Sequence, residues 1–284
     1  MKMVRQVLLA VGLVLCASTS FAVHNLKQPA GLAVDSAGNL YVANYGLNEI
    51  LIYSPNYVQL VSRTITANIA GPQDVAFDPY GNLWVANFTG NANGASGYIT
   101  EYTAGVQNTS ATINNGIVGP LYLSFDGLDN LWVLNDGMNI TIYDPTYPFN
   151  PPSNLVRTIT TNVKVFKVSA GVIVSGTRNK TLADPASVVL QGVSGLGSES
   201  ITIGVTAIAP DSSGNTYFCD PSGNVYIVDG SGDVNDFVSL GFAARGMAVD
   251  NRNKRLYASN DSGQEIVVYS TTTGELLETI GNAQ

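Results

Sequence analysis

The sequence contains one histidine, His24, and two cysteines, Cys16 and Cys219. A single histidine near the start of the chain excludes a histidine-based metal or acid–base site from the body of the protein, unless the terminus folds over it. The patterns GxSxG, HExxH, the phosphate-binding P-loop and paired cysteines are also absent. The chain therefore lacks the groups on which most recognisable active sites depend.

Charged residues are also scarce, at 12% of the chain against roughly 25% in ordinary globular proteins. Acidic residues outnumber basic ones, 21 to 13, which gives a formal net charge of −8. This balance disfavours nucleic acid and anionic lipid as partners. Beyond the first 22 residues no uninterrupted apolar run approaches 18 residues, so we expect no membrane attachment of the mature chain.

The first 22 residues have the features of a secretory signal peptide. Lys2 and Arg5 precede an apolar run at positions 7–17, and small residues, Ser20 and Ala22, stand at the positions that a signal peptidase reads. We expect cleavage after Ala22, a single domain over residues 23–284, and a secreted or periplasmic location. Cleavage leaves one cysteine and therefore no intramolecular disulfide.

A repeat runs along the rest of the chain. Its clearest marker is an aspartate that ends the first apolar segment of each unit. The interval between the third and fourth markers is about twice the others, so a unit without the marker must lie between them, and VKVFKVSAGVIVSG at positions 163–176 is its remnant. Six units result. The five markers are Asp35, Asp78, Asp126, Asp211 and Asp250.

Each unit contains four short apolar runs bounded by turn residues. In the first unit these are LAV, LYVAN, ILIY and LVSRTI at positions 60–65. Four strands in about 40 to 45 residues is the period of a propeller blade. The sequence therefore predicts an all-β, six-bladed β-propeller of four-stranded antiparallel blades. GELLETI at positions 274–280 completes the last blade, so we expect closure by packing without strand exchange and little stability from residues 23–27.

The motifs DSAGNLYVAN and DPYGNLWVAN resemble NHL repeats, and LYVAN is also similar to the YVTN type. WD40 repeats are disfavoured because Trp84 and Trp132 are followed by Val. Similar propellers include lyases that use histidines and lactonases of the SMP-30 type that bind a divalent cation through Glu, Asn and Asp. The resemblance therefore implies an alternative function, a metal-dependent lactonase or lyase site in the central channel. Its candidate oxygen ligands are Asp74, Asn87, Asn135, Asp220 and Asn260.

The strand order predicts two kinds of loop at opposite ends of the ring. The DxxGN turns, such as residues 35–39, lie at one end, and we interpret their carboxylates as structural. The other end collects asparagines that finish the second strands, aromatic residues that follow them, and two long loops, residues 88–97 and 177–186. A Pro-rich insertion, residues 144–154, falls at the DxxGN end. The ligand-binding candidates are Asn44, Tyr45, Asp74, Asn87, Phe88, Tyr122, Asn135 and Arg245.

Aromatic rings beside neutral amides suit peptide backbones and sugars. With no catalytic residue, metal ligand set or cofactor motif recognised, the sequence favours a non-catalytic binding or scaffold module for a protein, peptide or glycan. Cys219 aligns with small residues of the other units, Ala43, Ala86 and Ser259. We therefore expect it to be a packed core residue rather than a reactive thiol.

Overall fold

The computed structural model describes residues 25–88, 97–125, 129–136, 139–143, 155–160, 165–169, 172–176, 188–192, 199–201, 206–229 and 234–281. Over these ranges the strands form six antiparallel sheets, five with four strands and the first with three. Of the segments singled out above, residues 1–22, 144–154 and 177–186 and most of 88–97 lie outside the described residues.

The strands of each sheet are consecutive in the chain. Sheet 1 comprises β1 (Pro29–Val34), β2 (Leu40–Asn44) and β3 (Glu49–Tyr53), and sheet 2 comprises β4 (Pro72–Phe77), β5 (Leu83–Asn87), β6 (Tyr98–Thr103) and β7 (Val106–Ile113). Sheet 3 comprises β8 (Pro120–Phe125), β9 (Leu131–Asn135), β10 (Asn139–Tyr143) and β11 (Leu155–Thr160). Sheet 4 comprises β12 (Val165–Ser169), β13 (Val172–Gly176), β14 (Val188–Gly192) and β15 (Glu199–Ile201). Sheet 5 comprises β16 (Ala207–Pro210), β17 (Thr216–Cys219), β18 (Asn224–Val228) and β19 (Val234–Ser239), and sheet 6 comprises β20 (Met247–Asp250), β21 (Arg255–Asn260), β22 (Glu265–Ser270) and β23 (Leu276–Gly281).

The first strands of the sheets surround a common axis. β1 contacts β4 and β20, and the series continues from β4 to β8, β12, β16 and back to β20. Each sheet runs outward from this axis through antiparallel hairpins. The chain is therefore an all-β propeller with four-stranded antiparallel blades, as the sequence predicts. Within the described ranges, no helix has the length and hydropathy needed to cross a lipid bilayer.

The second strands β2, β5 and β17 are buried along their whole length because each sheet packs between two neighbours. All five residues of β2, the LYVAN run, are buried. Its alternate side chains enter different cores: Val42 packs toward sheet 6, whereas Tyr41 and Ala43 pack toward sheet 2. Two-sided burial explains why this strand is apolar throughout rather than alternating with polar residues.

The DxxGN turns have the structural role that we predicted from the sequence. In the first turn, Asp35 Oδ1 accepts hydrogen bonds from the backbone N–H groups of Ala37 and Asn39, at 2.9 and 2.8 Å. The Asn39 amide donates to Asp35 Oδ2 at 2.8 Å. Gly38 adopts a φ of 85°, which glycine accepts without steric cost. Both oxygens of the carboxylate therefore accept hydrogen bonds from within their own turn.

The predicted fourth strand of the first unit is wrong. Residues 60–65 instead contain a short 3-10 turn, Val61–Arg63, with isolated bridges at Tyr53↔Gln59 and Ile50↔Ile65. Between the two bridges the outer segment uses more residues than β3 does, and the excess loops out as the turn. The apolar pattern of residues 60–65 correctly indicated that the ends of this segment lie beside β3. It could not reveal the inserted residues between them.

The weak fourth unit and the packed cysteine agree with the sequence interpretation. β12 and β13 coincide with the remnant at positions 163–176. Cys219 is fully buried and free, and burial raises the pKa of its thiol. A protonated thiol without surface exposure is a packing residue.

Ring closure occurs by packing between sheets 1 and 6. β23 pairs with β22, so the last sheet is completed by its own chain segment as expected. However, Leu26 is only 1% exposed and lies in the core between these sheets, with Tyr257 and Ile280. The expectation that residues 23–27 contribute little to stability therefore has to be corrected, because this segment supplies a side chain that joins the first and last sheets.

Candidate functional site

The candidate residues lie on the upper face, which we define as the end of the ring that carries the loops between second and third strands and the connections between sheets. Three recurring asparagines on this face are buried, with exposures of 0, 0 and 1%. In each, Oδ1 accepts a hydrogen bond from the backbone of the loop that leads into its own sheet. The donors are Lys27 for Asn44 (2.7 Å), Ala70 for Asn87 (2.9 Å) and Val118 for Asn135 (3.0 Å).

The amide nitrogens of these asparagines are occupied as well. Asn44 Nδ2 donates to Glu49 Oε1 at 2.7 Å, and the other two donate to threonine hydroxyls of the third strands. These amides therefore brace the loop that leads into each sheet against the second hairpin. Burial and complete pairing explain why an asparagine recurs at this position. A ligand approaching from solvent would meet the residues around the asparagines.

A polar and aromatic cluster lies at the mouth of the central channel, and we call it the Arg245 cluster. Arg245 forms an ion pair with Asp261, Nη1 to Oδ2, at 2.9 Å. Its Nη2 donates to Gln73 Oε1 at 2.8 Å, and its guanidinium carbon lies 4.9 Å from the centre of the Tyr45 ring. Arg245 comes from the loop before β20, Tyr45 from the loop between β2 and β3 of sheet 1, and Gln73 from β4. The cluster thus joins sheets 6, 1 and 2.

The cluster remains accessible. The side chains of Arg245 and Asp261 are 19% and 36% exposed, and Tyr45 and Gln73 are partly buried. Sequence reasoning selected Tyr45 and Arg245 but not Gln73 or Asp261 as site residues. Asp261 directly follows the last recurring asparagine, just as Tyr45 follows the first. This shared position in the repeat could have identified Asp261 as a candidate from the sequence. No sequence pattern indicates that Gln73 would meet Arg245 across sheet 1.

Asp74 has a different environment from the Arg245 cluster. It is 1% exposed, and its Oδ2 accepts a hydrogen bond from the backbone N–H of Leu123 at 2.9 Å. A Cβ on Gly31 would lie only 2.2 Å from Asp74 Oδ1. The carboxylate is therefore enclosed between the first strands of sheets 1, 2 and 3, where it links β4 to β8.

Each candidate metal ligand is hydrogen-bonded to other groups of the protein. In the part of the chain that the structure describes, no group of three or more His, Cys, Asp or Glu side chains could hold a metal ion. Asp220 Oδ1 accepts backbone hydrogen bonds within its own turn, from Ser222 and Asn224, both at 2.8 Å. Asn260 pairs with Glu265 Oε1 at 2.9 Å and with the Gly263 N–H at 3.0 Å.

Phe88 and Tyr122 form a second group of candidates. Phe88 is partly buried, and a Cβ added to Gly119 would lie 3.2 Å from its Cε2, so the ring packs on the loop that leads into sheet 3. Tyr122 packs against Leu134 and Ile140 of the same sheet. The structure therefore divides the predicted site into the Arg245 cluster over sheets 6, 1 and 2 and an aromatic group over sheets 2 and 3.

Apolar side chains predominate in the described part of the central channel beneath the upper face. A cavity of about 230 Å³ is lined by the first strands of sheets 1, 2, 3, 5 and 6. Among the described lining residues, Ser124 alone has a polar side chain. The others include Leu32, Val75, Leu123, Ile208, Met247 and Val249. The described lining therefore offers a hard cation one side-chain oxygen, that of Ser124, and no carboxylate.

A buried carboxyl, Glu101, lies outside the candidate site. Its side chain is fully buried in β6. Oε2 accepts a hydrogen bond from the Asn108 amide at 2.9 Å, whereas Oε1 has no partner. Burial raises the pKa of this carboxyl above its ordinary value, the hydrogen bond from Asn108 opposes the rise, and the nearby Asp78 charge adds to it. The ionised form therefore destabilises the folded protein.

We expect Glu101→Gln to increase the free energy of unfolding at pH 7 by about 1 kcal/mol, since it removes a buried charge with one unpaired oxygen. Because the folded-state pKa is raised, wild-type stability falls as pH rises from the unfolded-state pKa through the folded-state pKa. The stability gained by Glu101→Gln should therefore decrease toward pH 4. Urea unfolding between pH 4 and 8 measures it, with exposed Glu278→Gln as control. A gain independent of pH would contradict this assignment.

The chain matches no protein-family model and no curated protein sequence. It is similar to solved β-propellers. One is a chain in the crystal structure of a nidogen/laminin complex, with 11% identity, a TM-score of 0.62 and coverage of 89% of this chain and 93% of that chain. Selenomethionine-substituted virginiamycin B lyase from Staphylococcus aureus has 12% identity, a TM-score of 0.57 and coverage of 90% and 85%. A streptogramin B lyase structure has 12% identity, a TM-score of 0.58 and coverage of 93% and 86%. At these identities the similarity supports the propeller fold alone.

Proposed function

We propose that this chain is an exported, six-bladed propeller of NHL-like repeats that acts as a non-catalytic binding module. The closed series of contacts among six first strands supports the blade number. The recurring DxxGN turns support the repeat type. The signal-like features of residues 1–22 support export and cleavage after Ala22.

The observation that carries the binding function is the contrast between the upper face and the channel. The Arg245 cluster gathers a cation, a carboxylate, an amide and an aromatic ring from three sheets, whereas Ser124 is the one polar side chain among the described residues of the channel lining beneath it. Recognition at a surface needs the first kind of environment. Metal-assisted catalysis in a channel usually needs carboxylate or imidazole side chains, which the described lining does not supply.

We favour a protein or peptide ligand over a glycan for this face. The guanidinium of Arg245 has five N–H donors, and its described partners are Asp261 and Gln73. Remaining donors can meet peptide carbonyls or a carboxylate, while the Tyr45 ring provides a flat apolar surface beside them. The propeller in the nidogen/laminin complex is a neighbour of the same fold found in a protein assembly.

A screen of the secreted protein against peptide and glycan arrays tests the proposal. We expect Tyr45→Ala with Phe88→Ala to weaken each ligand of the upper face by about 1–3 kcal/mol, without changing the fold. Titration calorimetry measures the affinity. Exposed Leu276→Ala on β23 is the control and should leave binding unchanged.

Two results would contradict the proposal. One is affinity that survives in the double variant but is lost on altering residues 144–154, which would place the ligand elsewhere. The other is stoichiometric calcium or zinc retained by the purified protein after dialysis. That result would favour the alternative, a metal-dependent lactonase or lyase, which shares its fold with the two lyase neighbours.

A further inference from the structure

A groove of about 680 Å³ opens between sheets 1 and 2 on the lower face, the end of the ring that carries the DxxGN turns. One wall comprises residues 62–65, which include the end of the 3-10 turn Val61–Arg63, and the opposite wall is the β6–β7 hairpin. The turn stands where the other sheets have a regular fourth strand. The groove therefore results from the same irregularity that interrupts sheet 1. Its volume lies within the range of ligand sites in proteins.

A linked set of polar groups lines one part of the groove. The Tyr41 hydroxyl accepts a hydrogen bond from Arg63 Nη2 and lies close to the Asp35 carboxylate. The Tyr41 ring packs edge-on against Phe77, with ring centres 4.9 Å apart. The Arg63 guanidinium carbon lies 5.7 Å from the centre of the Tyr41 ring. The orientation of these groups is thus set before any ligand binds.

The groove also contains a buried hydroxyl without a partner. Thr64 Oγ1 is inaccessible to solvent and makes no hydrogen bond. A buried hydroxyl without a partner destabilises the folded protein, and such groups in native proteins call for an explanation. A ligand hydroxyl entering the groove beside Thr64 would satisfy it after a small movement of the turn.

An aromatic ring stands at the rim. Tyr80 is 68% exposed and follows Asp78 in the DxxGN turn of sheet 2. The turn uses the backbone N–H of this residue, which donates to Asp78 Oδ1 at 2.9 Å, and the same position in two other turns holds Ala37 and Ser213. The turn therefore does not explain an aromatic side chain here. An exposed ring beside hydroxyls and amides is the type of surface on which sugar rings stack.

The charges of the groove argue against an ionic ligand. Arg63 is the one cation among the described lining residues, which also include the carboxylates of Asp35 and Asp78. Both carboxylates are held by their own turns. The formal net charge of −8 repels anions further. A neutral ligand rich in hydroxyl groups fits this balance better than a phosphate or an acidic peptide.

We propose that the groove between sheets 1 and 2 binds a neutral oligosaccharide, with a sugar ring on Tyr80 and a sugar hydroxyl bonded to Thr64 Oγ1. This site is distinct from the upper-face site and does not depend on it. Ser62 and Thr103 add further hydroxyls to the groove walls, which extends the same chemistry along its length.

The test uses neutral hexasaccharides of glucose, mannose, galactose and N-acetylglucosamine in different linkages as probes. Saturation-transfer NMR and titration calorimetry measure their binding to the purified protein. We expect at least one of them to bind and Tyr80→Ala to weaken it tenfold or more. Tyr45→Ala with Phe88→Ala on the upper face should not alter this affinity, which separates the two sites.

Thr64→Val tests the proposed site more specifically than Tyr80→Ala does. It keeps the shape of the side chain but removes the unpaired hydroxyl, so we expect a higher melting temperature in the absence of sugar together with several-fold weaker sugar binding. A residue with only a structural role would not give opposite effects on stability and affinity. Thr279→Val, an exposed threonine on β23, is the matched control and should change neither.

The proposal is overturned if no neutral hexasaccharide binds, or if binding is unaffected by both Tyr80→Ala and Thr64→Val. Capture of an extended peptide in the groove, detected by its loss in Tyr80→Ala while all sugars fail to bind, would also overturn it. None of these outcomes bears on the peptide or protein ligand proposed for the upper face.

Discussion

Leu26→Ala is expected to lower the free energy of unfolding by about 2–5 kcal/mol. Leu26 precedes the first strand, yet it is 1% exposed in the core between sheets 1 and 6. Truncation leaves a cavity where the ring closes, because the neighbouring Tyr257 and Ile280 belong to a different sheet and are held by their own strands. The loss therefore includes both the transfer of the side chain to water and the cavity.

Urea or thermal unfolding of the mature protein measures this effect. Val61→Ala, at a side chain 57% exposed, is the control and should change stability by less than about 0.5 kcal/mol. Deletion of residues 23–27 should lower the melting temperature at least as much as Leu26→Ala, because it also removes the Lys27 N–H that Asn44 binds. A Leu26→Ala protein as stable as the control would mean that closure does not use this segment.

Gly31→Ala is expected to destabilise the protein by about 1–3 kcal/mol or more. A Cβ at this position would lie 2.5 Å from Asp74 Cα and 2.8 Å from the Gln73 carbonyl oxygen. Both contacts are with backbone, which cannot rotate away as a side chain can. The first strands of sheets 1 and 2 would have to separate at the channel, where Asp74 also links β4 to β8.

Gly281→Ala is the matched control for this prediction. Gly281 has no positive φ that would strain alanine, and its nearest atom to an added Cβ is a side-chain carbon of Glu265 at 3.2 Å. Gly281→Ala should therefore change the free energy of unfolding, measured in urea, only slightly. Equal effects of the two substitutions would show that the close approach of β1 and β4 does not constrain the channel.

Local chemistry was predictable from the sequence because it depends on residues close together in the chain. The DxxGN turns are formed by side chains within four residues of one another, so their structural role followed from the pattern. The same reasoning located sheet 4, whose marker is missing, from its two apolar runs. It failed at residues 60–65, since the strand pattern there does not reveal the residues that loop out between the bridges.

The candidate site was predictable only in part. Recurrence after the second strand indicated Asn44 and Tyr45 together, but the structure separates them: Asn44 is fully buried as a brace, while the Tyr45 ring lies beside Arg245. One-dimensional spacing places residues on the same face of the ring. Spacing does not specify which of these residues form hydrogen bonds within the protein and are therefore not available to a ligand.

By itself, the sequence determined the propeller architecture, the turn chemistry and the burial of the LYVAN strands, because each follows from a period or from bonds between near neighbours. Only the tertiary structure decided that Leu26 closes the ring, that Arg245 reaches Gln73 across sheet 1, and that a groove opens beside Arg63. These features join residues from different sheets. Their existence depends on how the sheets pack around the axis, which no local pattern encodes.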